Sequence, residues 1–328
     1  MKSQEERESD PTIDHARHDQ LPGKEAFSRD AGRPLHDTAF LPLSFEYERA
    51  DRIDDHFEKG DLDRPQDQRQ VQCLVRVPVP ARTAIFYRSL NNPDHKIIEL
   101  LLAASAARDQ GAQRVILIAP YLAYMRQDMA FHSGEAVSQK VVGGLIADHF
   151  DGLITVDPHL HRIKTLNEVV PGIPAISVSA APLLATLIDA RDNPIVIGPD
   201  SESRQWTEAI AAPLGLETLV ATKQRLGDRQ VSLAIAEVDG VKGRRAILVD
   251  DMISSGRTLV EAARLLYGAG AISVEALVTH CLASADDLAL LEANGIRPVI
   301  SSDSIDGPTS KVQLAPLICR ALQDNGLA

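Results

Sequence analysis

The stretch Gly243-Arg244-Arg245-Ala246-Ile247-Leu248-Val249-Asp250-Asp251-Met252-Ile253-Ser254-Ser255-Gly256-Arg257-Thr258-Leu259 decides how the rest of the chain is read. Its apolar run, Ala246 to Val249, is short and bounded by charge, the pattern of a strand buried inside a parallel sheet. Two adjacent acids end it. Open α/β sheets hold ligands at the carboxyl ends of their strands, so Asp250 and Asp251 stand where a ligand is expected. Ser254, Ser255, Gly256 and Thr258 are small, hydroxyl-bearing or glycine, and they lead into a helix marked by Leu259, Ala262, Ala263 and Leu266. Such a turn aims backbone N–H groups and hydroxyls at an anion, assisted by the positive end of the helix dipole.

A ligand that satisfies both halves carries vicinal hydroxyls for the acids and a phosphate for the turn. Ribose 5-phosphate has both. Paired acids after a strand also cap ordinary turns, and Asp-Asp alone leaves the two roles open. The whole string is far more specific. It resembles the phosphoribosyl-diphosphate (PRPP) binding loop of type I phosphoribosyltransferases and of ribose-phosphate diphosphokinases, and other parts of the chain must choose between them.

At 328 residues the chain is long enough for two domains, each with its own core. A net charge of −12 argues against a broad nucleic-acid or anionic-membrane surface, so phosphorylated ligands depend on local basic clusters and metal ions. Cys73, Cys281 and Cys319 lack paired metal spacing and read as buried thiols. No apolar run is long enough for a membrane span, and the first residues lack a signal-peptide core, so a cytoplasmic protein is expected.

Residues 1–38 are polar and almost free of periodic apolar positions, the composition of a disordered tail. From there strands alternate with helices in two successive stretches, 39–172 and 173–328. Each predicts an α/β domain with a central parallel sheet presenting its loops at one edge. The expected helices include one with Ile97, Leu100, Leu101, Ala104 and Ala107 inward, one with Val137, Val141, Leu145 and Ile146 inward, and one over Ala180 to Ala190.

Three further strand ends carry chemistry. After Val115 to Ala119 comes a loop, Pro120 to Glu135, whose Arg126 either stacks on a planar base or binds phosphate oxygens, unless the loop is only solvated surface. After Leu153 to Val156 come Asp157, Pro158 and His159, and the histidine either binds a metal or phosphate or is structural. After Ile195 to Ile197 comes Gly198-Pro199-Asp200, with Ser201 or Ser203 as an ordinary helix cap. Lys223 and Arg225 sit in a basic segment without apolar context.

Taken together, Arg126-Gln127-Asp128, Gly134-Glu135 and Val156-Asp157-Pro158-His159 resemble the N-terminal half of ribose-phosphate diphosphokinases. That resemblance implies two tandem phosphoribosyltransferase-like domains, ATP on the first (39–172) and ribose 5-phosphate on the second (173–328), with the last helix packing back on the first. It implies an ATP site with Arg126, Gln127, Phe57 and Asp61, the last two holding adenine across a subunit boundary, and hence at least a dimer. Metal-bound ATP falls to His159 with Asp200, through Mg²⁺. Lys223 and Arg225 become a catalytic arm closing over the transferring phosphates. Asp250 and Asp251 take the ribose hydroxyls, and Ser254, Ser255, Gly256, Arg257 and Thr258 the 5-phosphate. The chain departs from the family at Lys59, Ser254, Arg257 and the Ser-Glu-Ser after Asp200. Those departures keep a non-catalytic regulatory relative open beside the enzyme, and the shared loop keeps a base-accepting phosphoribosyltransferase open.

Overall fold

The computed structural model describes residues 82–160, 162–225 and 231–327, together with the backbone of 38–40, 45–49 and 71–75; for 223–225 and 231–232 it likewise describes the backbone alone. Phe57, Lys59, Asp61 and the expected tail up to residue 37 lie outside the described residues.

The first sheet is wholly parallel, ordered β1 (Thr38–Phe40), β4 (Thr83–Tyr87), β5 (Arg114–Ala119), β6 (Gly152–Val156) and β7 (Ala175–Val178). A separate antiparallel pair joins β2 (Phe45–Arg49) to β3 (Val71–Val75). The second sheet runs β10 (Val231–Ile235), β9 (Thr218–Arg225), β8 (Ile195–Gly198), β11 (Arg245–Ile253), β12 (Ser273–Cys281), β13 (Ile296–Ser302), β14 (Ser310–Val312), and β10 alone is antiparallel to its neighbour. Both central strands are apolar over consecutive residues because both their faces are covered. Val115 to Ala119 and Ala246 to Val249 are no more than 1% exposed.

Helices α1 (Pro93–Asp109) and α2 (Ser138–His149) cover the outer face of the first sheet, and α5 (Arg257–Gly268) with α6 (Ala285–Ala293) covers the outer face of the second. Between the sheets lie α3 (Ala181–Ala185), α4 (Arg204–Ala211) and α7 (Ala315–Asp324). One apolar cluster there takes Ile116 and Ile154 from the first sheet, Ile247 and Leu277 from the second, and Trp206 and Ile318 from the helices between. The two α/β halves therefore share a core. In the last helix Ile318 and Leu322 sit in that cluster, and beyond it the Gly326 carbonyl accepts from the Arg114 guanidinium at 2.9 Å.

Three expectations are corrected. The first sheet does not close at 172, because β7 adds to β6 beyond that point, and the sheet boundary falls after Val178. The helix expected over Ala180 to Ala190 stops at Ala185; the Asp189 side chain then accepts from the Arg191 N–H and caps a separate 3₁₀ turn, Ala190–Asp192, before Asn193-Pro194. In α2, Val141 is 62% exposed, whereas Gln139 is fully buried because its amide donates to the Met125 carbonyl at 3.2 Å. Among the described residues no helix is long and apolar enough to cross a membrane.

Candidate active site

The turn after β11 is built as its composition predicts. Ile253 and Leu259, 1% and 3% exposed, pin its two ends into the core. Gly256 precedes α5 with φ +67, and an added Cβ there would lie 2.8 Å from Leu291 Cδ2, so only glycine fits both the backbone and the space. The first residues of α5, which line the same cavity as the strand-end acids, have N–H groups with no partner within the helix.

Those acids are crowded. The Asp251 N–H donates to Asp250 Oδ1 at 3.0 Å. Loss of solvation, then the neighbouring charges of Asp251 and Asp200, push the Asp250 carboxyl well above the usual carboxylate range. Asp251, 2% exposed, receives His159 instead: Nδ1 of that imidazole lies 2.6 Å from Asp251 Oδ2. The partners come from different sheets, since His159 follows β6 and Asp251 lies in β11. A carboxylate on Nδ1 fixes the tautomer and gives Nε2 the lone pair that a cation needs.

Asp200 is held by its own turn. Its Oδ1 accepts from the N–H groups of Glu202 and Ser203 at 3.0 and 3.2 Å, and Ser203 Oγ donates to the Asp200 carbonyl at 2.6 Å. Asp200, not Ser201 or Ser203, is the side chain that organises the start of α4, where Ser203 makes no capping bond of its own. Gly198 allows this fold-back, since a Cβ would stand 2.4 Å from Ser203 Oγ.

The loop after β5 comes from the other side. Tyr124 adopts φ 65, and its hydroxyl donates to Asp94. Ser138 Oγ and the Gln139 amide tie the Tyr124 and Met125 carbonyls to α2. Asp128 Oδ1 accepts from Arg162 at 2.7 Å, which joins this loop to the segment after His159. Farther out, Glu135 accepts from the N–H groups of Phe131 and His132.

These pieces enclose one cavity of about 200 Å³. Arg126, His159 and Asp200 line it together with Asp250, Asp251 and the turn residues Ser254, Ser255, Gly256, Arg257 and Thr258. Gln127 lies outside the lining; its carbonyl accepts from the Gln139 N–H at 3.3 Å. Lys223 and Arg225 fall in β9, antiparallel to β10 and paired with Leu233 and Val231, so the basic segment is one strand of an antiparallel pair; residues 226–230 lie outside the described residues. Glu202 also lines the cavity, a position that the sequence marks only as part of the Ser-Glu-Ser departure after Asp200. Its place two residues beyond a strand-end aspartate was the available signal.

Two α/β sheets in one chain, the second with an acid pair and a small-residue turn at its carboxyl edge, and both contributing side chains to one cavity, define a phosphoribosyltransferase-type protein of two halves. Residues 172–292 match the phosphoribosyl transferase domain, and 64–149 match the N-terminal domain of ribose phosphate pyrophosphokinase. The ribose-phosphate pyrophosphokinase of Methanopyrus kandleri is 36% identical over 280 residues, covering 84% of this chain and 94% of that protein. The enzyme of the same name from Methanobrevibacter smithii is 33% identical over 247 residues, 70% of this chain and 80% of its own. The chain belongs to the ribose-phosphate pyrophosphokinase family. Its fold is that of the phosphoribosylpyrophosphate synthetase of Mycobacterium smegmatis, with a TM-score of 0.68 at 24% identity over 87% of this chain and 91% of that one.

Proposed function

We propose that this chain is a ribose-phosphate diphosphokinase, which moves the β,γ-diphosphoryl group of Mg-ATP to the anomeric hydroxyl of ribose 5-phosphate and releases AMP. The observation that carries the reading is the 2.6 Å contact of His159 with Asp251, which joins a nucleotide-side strand end to the sugar-side acids inside one cavity. A phosphoribosyltransferase that accepts a base has no use for that junction.

In this reading Asp250 and Asp251 hold the ribose hydroxyls, and Ser254 to Thr258 grip the 5-phosphate, with Arg257 adding a guanidinium at the first turn of α5. The anomeric oxygen attacks the β-phosphorus in line, the bond from that phosphorus to the oxygen of AMP breaks, and the proton of the anomeric hydroxyl is released to water. No covalent protein intermediate is needed. Catalysis rests on positioning and on neutralising charge at the transferring phosphates, by Arg126 from the first half and by Lys223 and Arg225 from the β9–β10 arm. Phe57 and Asp61 hold adenine from a neighbouring copy, which makes the working enzyme at least a dimer. This reading takes the cytoplasm as the site of the reaction.

Mg²⁺ fits the donor set as an ion brought in with the nucleotide. Among the described residues no three His, Cys, Asp or Glu side chains converge as a closed metal centre. Magnesium is commonly held by one or two carboxylates plus substrate phosphates, which His159 and Asp200 would supplement here. The crowding that pushes Asp250 upward is the charge a cation offsets. When bound, Mg²⁺ polarises the phosphoryl oxygens.

The decisive experiment is AMP release from ATP and ribose 5-phosphate with magnesium and no nucleobase. Formation of AMP and PRPP in equal amounts is expected. Activity only after a base and PRPP are supplied would reassign the chain to base transfer.

A further inference from the structure

Beside the cavity, a second group of contacts sews the carboxyl edges of the two sheets together. After β4, Ser89 Oγ donates to the Ser304 carbonyl and accepts from the Tyr121 N–H at 3.2 Å. After β5, the Tyr121 ring meets the His280 imidazole edge-on, with centroids 5.0 Å apart. At the end of β6, the Val156 carbonyl lies 3.0 Å from His280 Nε2, and Asp157 Oδ2 accepts from Thr279 Oγ1 at 2.7 Å. The ends of β4, β5 and β6, three neighbouring strands of the first sheet, thus meet Thr279, His280 or Ser304 of the second half.

His280 is the centre of this seam and is 1% exposed. A carbonyl only accepts, so Nε2 carries the proton towards Val156. Burial pulls the imidazole below its ordinary range and keeps it neutral, which leaves Nδ1 to accept from Ser304 Oγ at 2.8 Å. The Thr279 carbonyl is served instead by Ser302 Oγ at 2.6 Å. The hydroxyls of Ser89, Thr279, Ser302 and Ser304 and the ring N–H of His280 then each have an acceptor.

The placement matters for what lies on either side. Arg126 follows β5 and His159 follows β6, whereas His280 sits in β12 in register with Met252 of β11, immediately after the acid pair. Any change in the bond from His280 to Val156 moves the nucleotide-side residues relative to the sugar-side ones. It leaves the turn from Ser254 to Thr258 alone, because that turn is anchored within the second half.

We propose that His280 is a positioning residue: it touches neither substrate, and it sets the distance across which ATP is presented to the sugar. This rests on the diphosphokinase reading above.

The test is steady-state AMP release by the full chain and by His280→Phe, His280→Gln and His280→Asn, with thermal melts of each. Phe keeps the ring against Tyr121 and loses both hydrogen bonds. Gln reaches far enough to restore the donor to Val156, and Asn does not. Misplacement of this kind predicts a fall in kcat of about tenfold to a hundredfold in the Phe variant, with a raised KM for ATP. The KM for ribose 5-phosphate stays within about twofold, since its grip is untouched. Gln recovers most of the loss and Asn little. Wild-type kinetics in the Phe variant, equal changes in both KM values, or equal behaviour of Gln and Asn would overturn the proposal. If the Phe variant fails to fold, the Gln against Asn comparison decides by the same rule. A wild-type chain that releases no AMP instead overturns the diphosphokinase reading, so the two failures are told apart.

Discussion

The two loops that meet at the cavity are built on opposite principles. The turn after β11 needs only Ser254, Ser255 and Gly256 before α5 begins, and its ends are sunk in the core. The loop after β5 runs from Pro120 to Val137 and leaves Tyr124, Met129 and Phe131 39%, 40% and 66% exposed. Its base is fixed by Ser138 and Gln139, its middle is tied to the segment after His159 by Asp128 with Arg162, and its far part holds contacts within itself such as Glu135 with His132. A small sugar phosphate of constant shape suits a turn that is finished before it arrives. A nucleotide is larger, and it suits a loop whose outer face a ligand or neighbouring copy can still cover. If this contrast is right, changes at the turn cost sugar binding and changes at the loop cost nucleotide binding, while changes at their junction cost both.

The largest effect is therefore expected at the junction. Asp251→Asn removes the carboxylate that holds His159 and one that holds the sugar, and turnover should fall by about a hundredfold or more. His159→Ala should fall comparably. The double variant should be little worse than either, because residues that act as a unit do not add. Additive losses in that cycle would mean that the 2.6 Å contact is not used in catalysis.

Next comes Asp250, whose carboxyl is raised by lost solvation and by Asp251 and Asp200. The folded chain then holds this proton more tightly than the unfolded chain, whose carboxylate titrates near about 3.9. Between that value and the raised one, stability falls as pH rises. Asp250→Asn should remove this slope and raise the melting temperature at neutral pH, while turnover drops by about tenfold or more because a sugar contact is lost. In the wild type, turnover should decline as the pH is lowered through the raised range. A melt of Asp250→Asn no higher than wild type at pH 8 would show that the acid is not destabilising.

Gly256→Ala should separate the two loops more cleanly. The substitution forces an L residue to φ +67 and drives Cβ to 2.8 Å from Leu291, a strain of about 1–3 kcal/mol. The KM for ribose 5-phosphate should rise by about tenfold with the strain relieved by displacing the turn, and the KM for ATP should hold. An equal rise in both would erase the distinction between a finished turn and an open loop.

How much of this was written in the sequence follows the same contrast. The turn was readable because every constraint on it is local: a buried strand, two acids, small residues, a glycine and a helix start follow one another without interruption. Arg126, His159 and Asp200 were readable as strand-end residues, and the structure gathers them into the same cavity as the turn. The exposure of Val141 was not readable, because α2 is rotated by the bond from Gln139 to Met125, and that bond depends on where the loop after β5 passes. The same holds for β7, which reads as the opening of the second half until its pairing with β6 is seen. His280 was hidden most completely. It lies in a β-rich run like any other, and its partners Tyr121, Val156 and Ser304 are distant in the chain. Local pattern shows which residues reach an edge, and only packing shows which edges face each other.

The smallest effect probes the open loop itself. Arg162 is largely exposed but the Asp128 carboxylate it joins at 2.7 Å is only 5% exposed, so losing the guanidinium should cost somewhat more than a surface pair, about 1–2 kcal/mol. Yet the pair ties the Arg126 loop to the segment that carries His159, and both belong to the nucleotide side. Arg162→Ala should therefore leave the melting temperature within about a few degrees and raise the KM for ATP by about threefold, with ribose 5-phosphate unaffected. The effect should shrink as salt is raised in the wild type, because screening weakens the same tie. A variant with unchanged ATP kinetics at low salt would mean that the loop is set wholly by its anchors on α2, and the nucleotide side would then be as finished as the sugar side.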